Sequence, residues 1–190
     1  MPKWILVDSE HLNDTWLNSS SPNDKISNTG DEEYINLWNE YYSDFSGKIL
    51  EIGAGNGFLA KNILEINSDV DYTILDIESH FEMLRENIGD NVTFVASSNY
   101  ESVFEQEWDL LIETHCLSET PTYYYADIFN KLKVKNCFVI DYGNSDKDPY
   151  FQPTLDAWFN NRFANKNKFT NTKLIGGSKK PIPVYIGKEK

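Results

Sequence analysis

Residues 48–57, Lys-Ile-Leu-Glu-Ile-Gly-Ala-Gly-Asn-Gly, constrain this chain more than any other segment. An apolar strand carrying Ile49, Leu50 and Ile52 runs straight into three alternating glycines, Gly53, Gly55 and Gly57, with Ala54 between the first two. Apolar residues at helical spacing follow at once: Phe58, Leu59, Ile63, Leu64 and Ile66. Glycine adopts positive φ without penalty and lets a ligand approach the backbone. A strand, a tight glycine turn and a helix N-terminus together make a nucleotide-type cofactor site. Glu51 lies two residues before the first glycine. A carboxylate there suits a ligand carrying positive charge rather than a bare phosphate.

The spacing is G-x-G-x-G, one residue shorter than the dinucleotide fingerprint, and no Gly-Lys-Ser/Thr follows, which excludes a P-loop. Glu51 through Gly57 resemble the first motif of the class I S-adenosylmethionine-dependent methyltransferases, Glu/Asp-x-Gly-x-Gly-x-Gly. The resemblance implies an α/β, Rossmann-like fold. Its sheet is mostly parallel and seven-stranded, with helices on both faces and a C-terminal antiparallel hairpin. It also implies S-adenosyl-L-methionine as cofactor, held by Glu51, Gly53, Ala54, Gly55 and Gly57. The competing reading is a glycine turn that binds nothing.

A second strand, Asp71 to Ile77, carries Asp76 near its end, 23 positions beyond Gly53. One helix and one strand fit in that interval, as a βαβ unit requires. A carboxylate in this place accepts hydrogen bonds from ribose hydroxyls. Ile77 is placed to pack on the adenine. Asp76 also reads as the cap of a helix from Glu78 to Asn87, and the two roles are compatible.

The chain has 190 residues, 40% hydrophobic and 14% aromatic, which is a globular composition large enough for one substantial core. No run approaches the ~20 apolar residues of a membrane span, and Met1 to Asp8 lacks the form of a secretory signal. Cys116 and Cys137 make no disulfide framework and read as reduced thiols. The expectation is a cytoplasmic protein without a membrane partner. Thirty acidic against 17 basic residues give a net charge of −13, which opposes a phosphate backbone, so no nucleic-acid partner is expected. The Lys-rich stretch from Asn161 to Lys190 reads as solvated hairpin surface.

Residues 1–30 read as irregular, with Trp4 and Trp16 suggesting that they pack onto something. Asp31 to Tyr42 reads as a helix presenting Ile35, Trp38 and Tyr42. In methyltransferases of small molecules such a segment covers the cofactor and walls the acceptor pocket; packing on the core alone is the other reading. Residues 1–46 thus form an N-terminal segment and cap helix, and 47–190 the cofactor-binding domain, one globular unit overall. Strands are expected near 48–53, 71–76, 91–96, 108–114 and 135–141. Helices are expected near 57–66, 78–88, 119–132 and 152–164, with a short one near 99–106. Such alternation implies a parallel sheet covered on both faces. Residues 168–175 and 181–186, flanking Gly176-Gly177, read as a hairpin.

Ligands of open α/β sheets sit at the carboxyl ends of the strands. The third strand ends at Ser97, Ser98 and Asn99, any of which can bond the adenine amino group, although the family often has Asp there. The fourth ends in Glu113, His115, Cys116, Ser118 and Glu119, where the transferred methyl should point. His115 titrates near neutrality and can take a proton from an acceptor hydroxyl. Glu113 or Glu119 can orient His115 or bind the acceptor, Glu113 also being assigned to the cofactor, while Ser118 and Glu119 also read as helix caps. The fifth strand ends in Asp141 and Tyr142, facing the acceptor, with Asp141 a second candidate base. Glu113, Asp141 and Asn144 could alternatively hold Mg²⁺, a weaker reading than a metal-free site. Cys116 reads as packing rather than as a nucleophile.

Glu119, Pro121 and Tyr123-Tyr124-Tyr125 resemble a group of bacterial sugar O-methyltransferases. The Asn-Pro-Pro-Tyr type motif of amino-directed nucleic-acid methyltransferases is absent after the fourth strand. The resemblance therefore implies methyl transfer to a small acceptor, a hydroxyl of a sugar or sugar-derived metabolite. The reading from another class is a cofactor-binding module without turnover that regulates a partner.

Overall fold

The structure is a computed structural model and describes residues 31–141, 148–175 and 181–189. The expectations for Trp4, Trp16, Tyr142, Asn144 and the Gly176-Gly177 turn lie outside these residues. The chain opens with α1 (Asp31–Tyr42), β1 (Lys48–Ile52), α2 (Phe58–Ile66) and β2 (Asp71–Asp76). Next come a 3₁₀ turn (Glu78–His80), α3 (Phe81–Ile88), β3 (Thr93–Ala96), a 3₁₀ segment (Ser97–Glu105) and β4 (Glu107–Thr114). A second 3₁₀ turn (Leu117–Glu119), α4 (Thr122–Lys131), β5 (Lys133–Ile140), α5 (Phe151–Arg162), β6 (Asn165–Ile175) and β7 (Pro181–Lys188) complete it.

The seven strands form one sheet in the order β3-β2-β1-β4-β5-β7-β6. The first five are parallel, and β7 runs antiparallel to both β5 and β6. The expected fold class is therefore the one found. Strands such as Ile49-Leu50-Glu51-Ile52 are buried throughout, because helices cover both faces of a parallel sheet. One apolar cluster joins α4 and α5 to one face through Tyr124, Tyr125, Ile128, Phe151 and Phe159. The other joins α1, α2 and α3 to the opposite face through Trp38, Ile63 and Leu84.

From β1 the chain steps outward to β2 and β3, then returns to place β4 on the other side of β1. This reversal falls between β1 and β4, whose carboxyl ends are the usual ligand position in such sheets. Register brings the polar strand ends to that edge: Ile52 pairs with Glu113, Asp76 with Ala96, and Thr114 with Ile140.

Several boundaries differ from expectation for local reasons. The helix expected from 119 begins at Thr122, because Pro121 holds the residue before it, Thr120, extended at φ −87 and ψ 160. The helix expected from 78 is interrupted: a 3₁₀ turn precedes α3. The short helix near 99–106 is a 3₁₀ segment kinked at Asn99. The hairpin strand β6 begins at Asn165, three residues earlier than expected. No helix among the described residues is long and apolar enough to cross a membrane.

Helix α1 is tied to the sheet at its C-terminal end by Tyr42. The buried hydroxyl donates to the carbonyls of Cys137 (3.0 Å) and Gly187 (3.2 Å), and the ring packs on Phe138. Tyr42→Phe should destabilise the protein by about 1 kcal/mol, the net value of one neutral hydrogen bond, because a single O–H serves both carbonyls. Denaturant unfolding at constant m-value is the check.

Candidate functional site

The turn after β1 is held from several sides. Gly53 N–H donates to Leu75 O on β2 (2.9 Å), and Gly57 N–H closes the turn on Ala54 O (2.9 Å). Asn56 accepts from Phe58 N–H at the start of α2, and Asn87 on α3 donates to the Asn56 carbonyl. All three glycines take positive φ: +71, +59 and +81 for Gly53, Gly55 and Gly57. Their surroundings differ. A Cβ on Gly53 would lie 2.3 Å from Cys116 Sγ, and one on Gly57 would meet Ile88 and Leu84 of α3 at 3.0 and 3.1 Å. A Cβ on Gly55 would meet nothing within 4 Å. The first and third glycines serve packing, and the middle one faces open space.

Beneath this turn Glu51 is 1% exposed and accepts from Tyr72 Oη at 2.9 Å. Burial pushes its carboxyl up to about 7, the Tyr72 hydrogen bond opposes the shift, and the charge of Asp76 adds to it. A cation beside it would favour the carboxylate.

Asp76, at the end of β2, is 2% exposed. Its Oδ1 accepts from Ile77 N–H (2.7 Å) and lies 3.1 Å from His80 Nδ1. Its Oδ2 has no partner among the described residues. The 3₁₀ turn that follows is capped by no side chain, so Asp76 is bound to its neighbour and to His80 rather than to that turn's N–H groups. A buried oxygen with free lone pairs beside a glycine turn fits the hydroxyl donors of a nucleoside ribose. Ile77 sits otherwise than expected: it is 1% exposed and packed into the α4/α5 cluster, so its apolar surface is covered by protein rather than open to an adenine. After β3, Ser97 is buried, whereas Ser98 and Asn99 are exposed.

The turn after β4 winds around two buried carboxyls. Glu113 Oε1 accepts from Cys116 N–H (2.6 Å) and Leu117 N–H (2.9 Å), and Asp141 Oδ2 accepts from Ser118 N–H (3.2 Å). Burial first, then the charge of Asp141, push the Glu113 carboxyl well above its ordinary range. His115 is the one non-glycine residue at positive φ among the described residues, at +62. That left-handed step turns the chain off the strand while His115 N–H donates to Ile140 O (3.0 Å). Its Nε2 lies 2.8 Å from Tyr34 Oη on α1. Burial lowers the imidazole pKa, and the Asp141 charge partly restores it. Glu119 lies half-buried on the 3₁₀ turn. Neither that turn nor α4 has a side-chain cap, so Ser118 and Glu119 do not serve as caps.

The edge therefore brings together Glu51, the glycine turn, Asp76, Glu113, His115 and Asp141. Two residues escaped the sequence reading. His80 carried a legible signal, four positions after Asp76 in a helix-like segment. Tyr34 carried none, because its contact with His115 spans 81 positions. Cys116 has its thiol pushed well up by burial and by neighbouring carboxylates, and it fills the space that Gly53 leaves open. No group of three or more His, Cys, Asp or Glu among the described residues is arranged to hold a metal ion.

No protein-family model matches this sequence, and no curated protein matches it. Solved structures match it in fold. An O-methyltransferase family protein from Burkholderia thailandensis superposes with a TM-score of 0.63 at 10% identity, over 84% of this chain and 56% of that one. This chain thus spans little more than half the length of that protein. The plantazolicin methyltransferase BpumL, solved with a triazolic desmethylPZN analog and SAH, gives 0.55 at 13% identity over 98% of this chain and 93% of that one. A protein described as a ribosomal RNA methyltransferase from Plasmodium falciparum gives 0.53 at 15% identity, over 86% and 98% respectively. The fold is that of the class I methyltransferases, as the residues from Glu51 to Gly57 implied.

The two outer glycine environments and the open middle one make a contrast that stability measurements resolve. Gly55→Ala should cost only the left-handed backbone penalty, about 1–2 kcal/mol. Gly53→Ala adds a collision with Cys116 and should cost about 2–5 kcal/mol in all. Adding Cys116→Ala should recover part of the second loss and none of the first.

Proposed function

We propose that this chain transfers the methyl group of S-adenosyl-L-methionine to a hydroxyl of a small molecule, with sugars and sugar-derived metabolites as the acceptor class. The observation that carries this reading is the left-handed glycine turn, open at Gly55, beside the buried and unfilled Oδ2 of Asp76. Glu51, Gly53, Ala54, Gly55, Gly57 and Asp76 are the residues that would hold the cofactor, with Ser97, Ser98 and Glu113 nearby at the same edge. The cofactor supplies a methyl group already activated on a positively charged sulfur, so the protein's part is to position partners and exclude water.

An acceptor hydroxyl must lose a proton to become a good nucleophile. His115, whose Nε2 lies 2.8 Å from Tyr34 Oη, is the group that takes that proton. Asp141, buried beside His115, stabilises the imidazolium that results. Glu119 stands on the acceptor side. The net charge of −13 supports a small acceptor over nucleic acid, and two free cysteines support a cytoplasmic setting.

Calorimetry should find one site per chain for S-adenosylmethionine or S-adenosylhomocysteine. Asp76→Ala should weaken it by about 1.5–3 kcal/mol, the scale of a hydrogen bond to a charged group. Absence of binding by both ligands would overturn the methyltransferase reading. Binding without release of S-adenosylhomocysteine across an acceptor panel would favour a non-catalytic module.

His115→Ala should lower turnover by about 10²–10⁴-fold while leaving cofactor affinity nearly unchanged. Because burial lowers the imidazole pKa, the base form persists below the ordinary value of about 6.5. Turnover of the parent should be flat through neutrality and fall only at more acidic pH. A variant with parental turnover at pH 7 would transfer the role to Asp141 or Glu119.

A further inference from the structure

The Asp76–His80 pair does more than the cofactor reading requires of Asp76 alone. The 3₁₀ turn after β2 closes with His80 N–H on Ile77 O (3.0 Å), which folds the imidazole back over the strand end. Nδ1 comes to 3.1 Å from Asp76 Oδ1, and the Ile77 N–H reaches the same oxygen at 2.7 Å. A carboxylate only accepts, so Nδ1 is the donor in this pair. Two donors on Oδ1 restrain the orientation of the carboxylate. What remains is Oδ2, with no partner among the described residues, on a side chain 2% exposed. His80 is itself 7% exposed, and its Nε2 also lacks a partner among the described residues. Buried polar groups are normally paired. A histidine retained only to fill space would leave no reason for an unpaired buried nitrogen, since an apolar ring fills the same volume.

We infer that His80 is a positioning residue of the cofactor site: it holds the Asp76 carboxylate so that Oδ2 is presented to a ribose hydroxyl. This rests on the cofactor reading above. His80 touches Asp76 rather than the cofactor. Its effect should therefore depend on the hydroxyls that Asp76 receives.

The test uses the full-length protein and calorimetry with two probes, S-adenosylhomocysteine and its 2′,3′-dideoxy analogue. His80→Leu should weaken S-adenosylhomocysteine about ten-fold, on the scale of a hydrogen bond to a charged group. His80→Asn, whose amide can donate to Oδ1, should stay within about three-fold of the parent. The dideoxy analogue should bind the parent and the Leu variant alike, because the two losses share one interaction. Parental affinity in the Leu variant would overturn the inference, and so would an equal loss for both probes, which marks a purely structural role. If the Leu variant does not fold, His80→Gln, with its amide one methylene further out, replaces it in the comparison with Asn. An Asp76→Ala variant that binds S-adenosylhomocysteine as the parent does would also overturn the inference, by removing the ribose role of Asp76, whereas a parent that binds neither probe would refute the cofactor reading itself, which separates the two failures.

Discussion

The close approach of two turns underlies everything else at this edge of the sheet. The turn after β1 and the turn after β4 meet where Gly53 faces Cys116, and a single added methyl at Gly53 would stand 2.3 Å from the sulfur. Only a residue without a side chain lets both turns leave adjacent strands at the point where strand order reverses. From that contact follow the direction of α2, the left-handed step at His115 and the position of the 3₁₀ turn behind it.

Carboxyls dominate the chemistry of the edge. Glu51, Asp76, Glu113 and Asp141 are all buried. Burying a carboxylate is costly unless hydrogen bonds or proton uptake compensate, and all four have such compensation. Tyr72 donates to Glu51, whose carboxyl nevertheless rises to about 7. Backbone N–H groups and an imidazole serve Asp76, Glu113 and Asp141. Such a site is predisposed to a ligand that brings positive charge and hydroxyl donors, which is the logic of the proposed cofactor.

Helix α1 joins the core to the edge that carries the candidate site. At one end Tyr42 is bonded across β5 and β7. Near the other, Glu33 accepts from Asn171 on β6 (2.8 Å) and lies 3.3 Å from Lys173 Nζ. Between those anchors Tyr34 reaches His115. Packing energy on the sheet thereby sets the orientation of a side chain at the site. That route allows a ring on one helix to orient a histidine on a distant turn.

Much of this was legible in the chain alone. Apolar runs of strand length, the G-x-G-x-G turn and alternating helical periods specify a parallel α/β sheet, because those signals are local and repeat. Glu51, the three glycines and Asp76 could be named for the same reason: strand-end residues in such a sheet converge by topology. Helix starts were less legible where Pro121 and the 3₁₀ geometry of Glu78–His80 decided them. Only the tertiary structure could decide that Gly53 is required by Cys116, that Ile77 is covered, that Glu113 and Asp141 share one buried turn, and that Tyr34 meets His115. Each of those facts is a contact between segments far apart in sequence. Such contacts depend on how side chains fill the space between packed elements, and a local pattern carries no record of that volume.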